Sequence, residues 1–191
     1  MRRFLFILLC LLTPVAALSA CQPAAFRTAA PADPALAPLF ERLAEAPTAA
    51  EAEVVEAQIW AIWTQSGSAT VDVLMERADM AEAGGNKAMA LRFVTEAGAI
   101  APSYAQAFYR RSILRYQAED RAGAIADIEE TLKREPRHFG ALAGLGLIRE
   151  DMGQPEAALD CYRRALEINP WLDTARQGVQ RLEPAIEGQD I

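Results

Sequence analysis

Histidine and cysteine are scarce in this 191-residue chain, which has one histidine and three cysteines. The histidine, His138, has no cysteine or second histidine at metal-ligand spacing, so we expect no metal site. A phosphate loop at Gly144-Leu145-Gly146 is also not expected, because no strand precedes it and the third glycine is absent. The adjacent carboxylates Glu129 and Glu130 point in different directions on a helix and make no acid–base pair. We therefore predict a non-enzymatic protein without cofactors, and an enzyme with an unrecognised site is the less favoured alternative.

Basic residues are also in the minority. Lysine and arginine number 19 against 26 acidic residues, which gives a formal charge of −7. Loss of Arg2 and Arg3 with the N-terminal segment described next would leave 17 basic residues and a formal charge of −9. Proteins that bind nucleic acids present positive surfaces to the phosphates, so we expect no nucleic-acid partner.

The longest N-terminal apolar run is too short to span a bilayer. It extends from Phe4 to Leu12 and follows the positive pair Arg2 and Arg3. A short apolar run behind positive charges is typical of an export signal. We therefore assign residues 1–20 to a signal peptide and exclude them from the fold.

The signal ends in Leu18-Ser19-Ala20-Cys21, which resembles the lipobox of bacterial lipoproteins. That resemblance implies that Cys21 is acylated and becomes the mature N-terminus, so the protein would be anchored to the outer membrane. The alternative is an ordinary signal peptidase site at Ala17-Leu18-Ser19 and a soluble periplasmic protein. Acylation would leave Cys161 as the only free thiol, and its place within a helix indicates a packing role.

Two short helices are predicted after a linker rich in proline and alanine. We assign residues 21–34 to this linker and residues 35–66 to a helical hairpin. Pro47 should separate the two helices, and a capping box from Thr48 to Glu51 should begin the second one. We expect Trp60 and Trp63 to pack in the core, where the hairpin would cover the first of the repeats that follow. The apolar stripes of the hairpin are Leu36, Leu39, Phe40 and Leu43 on one helix, and Val55, Ile59, Ile62 and Trp63 on the other.

A period of 34 residues runs through the rest of the chain. It is marked by Pro102, Pro136 and Pro170. A unit of this length fits a pair of helices that ends at the proline. Such a pair cannot bury its own apolar face, so small residues let neighbouring helices approach and large residues fill the gaps between them. We expect N-caps at Asn86 and Asp120 and a capping box beginning at Ser103. The recurring residues are Leu74, Phe108 and Leu142, then Ala90, Ala124 and Ala158, then Val94, Ile128 and Tyr162, and in the turns Gly85, Glu119 and Gly153.

This pattern resembles the tetratricopeptide repeat, and the third copy resembles it most. The resemblance implies an all-α, right-handed α-solenoid of three helix pairs at residues 71–102, 105–136 and 139–170. A capping helix at 171–183 should end at Pro184, leaving a tail at 184–191. The first two copies depart from the family, with Arg77-Ala78 and Arg111-Ser112 in place of Leu-Gly. Residues 59–78 are also similar to a segment of small exported bacterial tetratricopeptide proteins.

The resemblance further implies a concave groove that holds a segment of a partner protein. Chaperone-binding members use a Lys, Asn and Arg clamp there, but Met75, Asp79, Arg110, Gly140 and Gly144 stand at those positions. We therefore expect an apolar or basic protein segment and a scaffold or adaptor of the bacterial envelope. A soluble periplasmic assembly factor or chaperone-like protein is the alternative. The predicted groove residues are Met75, Asp79, Tyr109, Arg110, Ile113, Tyr116, Leu147 and Glu150.

Overall fold

The computed structural model describes residues 33–187, which form nine helices and no strand. The predicted all-α solenoid is confirmed. The signal peptide, Cys21, most of the linker and residues 188–191 lie outside the described residues. The helices are α1 (Leu36–Ala44), α2 (Ala49–Trp63), α3 (Ala69–Ala83), α4 (Lys87–Ile100), α5 (Ala105–Gln117), α6 (Arg121–Arg134), α7 (Phe139–Asp151), α8 (Pro155–Ile168) and α9 (Asp173–Glu187).

Three antiparallel pairs, α3–α4, α5–α6 and α7–α8, stack one on the next. Ala90, Ala124 and Ala158 are fully buried, as expected for residues that let two helices approach closely. The turn inside each pair needs one residue with positive φ. Gly85 and Gly153 supply it in the outer pairs, and Glu119 adopts it at 63° in the middle pair.

The N-caps of the second helices are confirmed, whereas one predicted capping box is wrong. The side chains of Asn86 and Asp120 accept hydrogen bonds from backbone N–H groups of α4 and α6, as Thr48 does for α2. Ser103 does not cap α5, because that helix begins after Tyr104, whose side chain makes no capping bond. Gln106, the last residue of the expected box, is instead buried and bonded to His138.

The N-terminal hairpin does not cover the first repeat, contrary to our expectation. Its core includes Phe139 of α7, and α1 also contacts α8. The indole N–H of Trp171 donates to the Ala46 carbonyl oxygen at 3.0 Å, and Asn169 donates to Glu56 at 2.8 Å. The two predicted core tryptophans therefore pack against Phe139 of the third repeat and against Tyr109 and Glu135 of the second, where aromatic surface and a hydrogen-bond acceptor are available.

The last helix continues past Pro184, so the predicted helix end at this residue is wrong. α9 extends to Glu187 with Pro184 inside it. A proline within a helix removes a backbone hydrogen bond at a cost of about 3 kcal/mol. Ile186, two residues further on, is partly buried against the core formed with the third repeat, and this contact favours continuation of the helix.

Among residues 33–187, no element covers the outer face of the first repeat. Val73 and Met80 on α3 are 46% and 61% exposed. The residues one period later, Ala107 and Leu114, are 1% and 2% exposed because α4 packs against them. The hairpin that could have covered this end of the solenoid lies elsewhere, so α3 presents its apolar residues to solvent.

We expect a small core deletion in the third repeat to cost more than a larger deletion on this open face. Ile148→Val removes one methylene from a side chain that is 2% exposed, and should lower the free energy of unfolding by about 1 kcal/mol. Val73→Ala removes two carbons from the open face and should change it by less than about 0.5 kcal/mol. Urea unfolding followed by circular dichroism measures both. Equal losses would show that the face at Val73 is covered in solution.

The departures of the middle repeat from the family pattern form one ionic network. Asp127 of α6 is buried and accepts two hydrogen bonds from Arg111, at 2.6 and 2.9 Å. Arg115 approaches the same carboxylate at 3.0 Å. Arg111 and Arg115 stand where the family pattern has Leu and Tyr, and the buried carboxylate compensates their charge.

Candidate functional site

A concave cavity of ≈ 470 Å³ lies among α5, α7 and α9, with one residue of α2 at its end. We call it the groove. This volume is within the range of about 300–1,000 Å³ that is usual for ligand pockets. Its walls are mainly apolar and aromatic, with a few hydroxyl and amide groups. The lining residues are Trp60, Tyr109, Ser112, Ile113, Tyr116, Ile128, Gly140, Ala143, Gly144, Leu147, Ile148, Tyr162, Leu172, Thr174, Gln177 and Arg181.

Four of the eight predicted groove residues line this cavity. Tyr109, Ile113 and Tyr116 come from successive turns of α5, and Leu147 faces them from α7. Leu147 remains 43% exposed although it is a large apolar residue in a packed helix. The structure thus brings together the members from the second and third repeats, and a role in binding a partner stays a prediction.

The other four predicted residues make contacts within the protein and do not line the groove. Arg110 forms salt bridges with Asp79 and, at 2.8 Å, with Glu82 of the preceding repeat. Glu150 accepts two hydrogen bonds from Arg181, at 2.7 and 2.8 Å, and these lower the pKa of its carboxyl group. Met75 packs beside the cores of the first repeat. The first repeat therefore contributes little to the cavity.

Trp60 forms the end wall of the groove, a role that the sequence analysis missed. Its ring lies so close to Gly140 that a Cβ atom there would be 3.0 Å from the indole. Tyr109 packs against the same ring with centroids 5.8 Å apart. We expected this residue to pack in the core over the first repeat, and nothing in the sequence indicated contact with Tyr109 and Gly140 of the later repeats.

α9 forms a side wall of the groove as well as the end of the solenoid. Thr174, Gln177 and Arg181 of α9 face the cavity, together with Leu172 just before the helix. The aromatic ring of Tyr162 fixes this helix, because it fits between glycines on either side. Cβ atoms at Gly146 of α7 and Gly178 of α9 would lie 2.6 and 2.4 Å from the ring. From the sequence, α9 was expected only as a cap.

His138 packs against Trp60, the residue that forms the end wall of the groove. Its Nδ1 atom accepts the Ala141 N–H at 3.0 Å and thereby caps α7. The proton is therefore on Nε2, which donates to Gln106 at 3.3 Å. The ring stacks on Trp63 with centroids 4.3 Å apart. Burial lowers the pKa of His138 to about 3, so the ring is neutral at physiological pH.

We expect acid to destabilise the fold through this histidine. The unfolded chain would bind a proton near pH 6.5, the ordinary value, whereas the folded chain resists protonation down to about 3. The stability that depends on the neutral ring is therefore complete above pH 6.5 and is lost progressively as the pH falls. Between pH 7.5 and 5.5 the free energy of unfolding should fall by about 1.4 kcal/mol. Urea titrations followed by tryptophan fluorescence measure this change.

His138→Asn provides the control, because asparagine keeps an N-cap acceptor and does not titrate. The variant should be less stable at pH 7.5, where it lacks the stacked ring, and should lose most of the pH dependence. His138 is the only histidine of the chain. An unchanged pH dependence in the variant would contradict our account of its burial.

Two hydroxyl groups that line the groove, those of Ser112 and Tyr162, are already hydrogen-bonded within the protein. Among residues 33–187 no group of three or more His, Cys, Asp or Glu side chains could hold a metal ion. Burial raises the pKa of the Cys161 thiol, which keeps it protonated and unreactive.

No helix in the described part of the chain is long and apolar enough to cross a membrane.

Comparisons with known proteins agree with this architecture. The tetratricopeptide repeat family matches residues 140–172. A TPR repeat-containing protein of Rhizobium etli is 35% identical over 150 residues, which cover 78% of this chain and 74% of that protein. The Sgt2 TPR domain from Aspergillus fumigatus has a TM-score of 0.58 at 23% identity, covering 64% of this chain and 83% of that one. The first TPR of Spaghetti (RPAP3), solved with the HSP90 peptide SRMEEVD, has a TM-score of 0.59 at 19% identity, covering 62% and 94%.

The stacked helix pairs and the apolar groove define an α-helical repeat protein of the kind that serves as a protein-interaction scaffold. The chain belongs to the tetratricopeptide repeat family, as the relative from Rhizobium etli shows. The two solved structures, both below 25% identity, show that the fold is shared.

Proposed function

We propose that this protein is a non-enzymatic adaptor of the bacterial envelope that binds an apolar segment of a partner protein in the groove. The observation that supports it best is the exposure of Leu147 beside Tyr116 in a cavity with apolar walls. Apolar side chains that remain accessible in a concave surface are typical of binding sites. The family supplies many precedents for scaffolds without catalysis.

The HSP90 peptide held by the structural neighbour is acidic at its end. This chain is unsuited to such a ligand. At the positions where the clamp of the family places cations, it has Gly140 and Gly144, and the indole of Trp60 occupies the space above Gly140. Arg110 already forms salt bridges with Asp79 and Glu82. We therefore propose an apolar or basic segment as the partner.

Membrane attachment through acylated Cys21 is part of this proposal, and it is supported by the lipobox-like sequence before that residue. The alternative is a soluble periplasmic assembly factor. Mass spectrometry of the mature N-terminus and fractionation of the Cys21→Ser variant separate the two. If the wild type is acylated and the variant is released from membranes, the adaptor is anchored. An unmodified N-terminus after another cleavage site would favour the soluble protein.

Binding in the groove can be tested with two matched substitutions. Leu147→Ser removes an exposed apolar side chain from the groove, and Ile100→Ser removes an isomeric side chain from the end of α4. The two residues are 43% and 49% exposed, so their effects on folding should be similar. Full burial of a leucine contributes about 1.5–3 kcal/mol, and Leu147 has 43% of its surface left to bury, so we expect Leu147→Ser to weaken partner binding by about three- to tenfold.

Crosslinking in intact envelopes followed by purification and mass spectrometry provides the measurement. Partners recovered with wild type and with Ile100→Ser should be depleted with Leu147→Ser. The same partners at the same yield for all three proteins would show that the groove is not the binding surface.

A further inference from the structure

Two carboxylates that are hydrogen-bonded to lining residues at opposite ends of the groove have no salt-bridge partner among residues 33–187. Glu56 accepts hydrogen bonds from the indole N–H of Trp60 at 3.1 Å and from the amide of Asn169 at 2.8 Å. Asp151 accepts a hydrogen bond from the hydroxyl group of Tyr116. All three donors are neutral. Within residues 33–187, neither carboxylate forms a salt bridge, whereas the nearby Glu150 is paired with Arg181.

The charges of these two carboxylates act on the walls of the groove. The pKa of Tyr109 is raised by burial and further by the charge of Glu56, while Arg110 opposes the shift. The pKa of Tyr116 is raised mainly by its hydrogen bond to Asp151. Arg121 opposes this second shift but makes no salt bridge with Asp151 among the described residues. Each end of the groove therefore has a negative charge beside a tyrosine of its wall.

The distance between the two ends follows from α7, which runs along the groove. Glu56 lies with Trp60 at Gly140, near the start of that helix, and Asp151 is its last residue. The 13 residues of α7 span about 18 Å at 1.5 Å per residue. An extended peptide covers this distance in about five or six residues.

We infer that the groove selects a short extended segment with a cationic side chain near each end and apolar side chains between them. The apolar residues would lie against Ile113 and Leu147, and the two cations would bind Glu56 and Asp151. This inference rests on the proposed function, because it names the chemistry of the segment that the groove would bind. Complementary charges at fixed positions determine the orientation and selectivity of a ligand more than its overall affinity.

Synthetic peptides test the inference with the protein lacking residues 1–20. The probe is a fluorescent heptapeptide with lysine at each end and four leucines around a central serine. Peptides with glutamine or glutamate at both ends are its controls, and fluorescence anisotropy at low salt measures dissociation constants. We expect the lysine peptide to bind about tenfold more tightly than the glutamine peptide, with the difference decreasing as salt is added.

Three variants locate the effect on the protein. Glu56→Gln and Asp151→Asn keep hydrogen-bond acceptors and remove the charges, so each should weaken binding of the lysine peptide about threefold or more and leave the glutamine peptide unaffected. Asp160→Asn, at an exposed position of α8 away from the groove, should leave both unchanged.

Equal binding of the lysine and glutamine peptides would overturn the inference and leave an apolar groove as proposed. A response to only one of the two groove variants would overturn the two-ended arrangement. Failure of every peptide to bind at millimolar concentration would contradict the proposed function as well.

Discussion

Asp127→Ala is expected to lower the free energy of unfolding by about 3 kcal/mol, because it leaves two arginines facing a buried site without their common anion. The carboxylate is 2% exposed, whereas the side chains of Arg111 and Arg115 are 17% and 30% exposed. The arginines can regain some water after the substitution, so the loss should be at the lower end of the range for broken buried pairs. Chemical unfolding at neutral pH measures it.

The third repeat suggests the compensating change. At the positions of Arg111 and Asp127 it has Leu145 and Cys161, one period later. Replacing an ionic pair by apolar groups is often neutral, so Arg111→Leu combined with Asp127→Ala should recover at least half of the loss. If the losses of the two single variants simply add, the network is not the origin of the effect.

Gly178→Val should displace α9 and cost about 3 kcal/mol, at the upper end of the range for overpacking. The ring of Tyr162 is buried, and its hydroxyl group donates to Glu150 at 3.1 Å, so the side chain cannot move away from the added one without breaking that hydrogen bond. Loss of α9 would also remove one wall of the groove. Increased amide hydrogen exchange of residues 173–187 should accompany the loss of stability.

Gly144→Ala is the matched control, because it adds a methyl group to α7 where there is space. The nearest atom to its Cβ would be Cδ1 of Ile128 at 3.8 Å. Alanine favours a helix over glycine by about 1 kcal/mol, so this variant should be as stable as wild type or more stable. If Gly178→Val were also tolerated, Tyr162 would not be the contact that holds α9.

The repeated part of the fold could be predicted because its determinants are local and recur at a fixed spacing. Small residues such as Ala124, turn residues such as Gly85 and caps such as Asn86 each act within one helix pair. The position of the hairpin could not be predicted in this way. It depends on contacts of Trp63 and Asn169 with residues far away in the chain, and the periodicity shows that a face is buried but not which surface covers it.

Half of the predicted groove residues do line the cavity, and they too could be identified from the fixed spacing of the repeats. Positions in the second and third repeats follow the family, so Tyr109 and Leu147 were identified by their place in the period. Arg110 and Glu150 were misplaced because each is near a side chain of opposite charge on another helix, and the resemblance does not show such pairs. Trp60 was missed because it comes from outside the repeats.

The docking of the hairpin on the third repeat also sets the order in which the protein can be completed. Its hydrogen bonds join residues separated by 72, 113 and 125 positions. During synthesis, and during any transfer across a membrane, α1 and α2 emerge first, but the surface that receives them forms last. Trp60 and Trp63 of α2 therefore remain exposed to solvent until the third repeat has folded. Contacts between such distant residues slow folding, so this scaffold should reach its final form later than a simple row of repeats would.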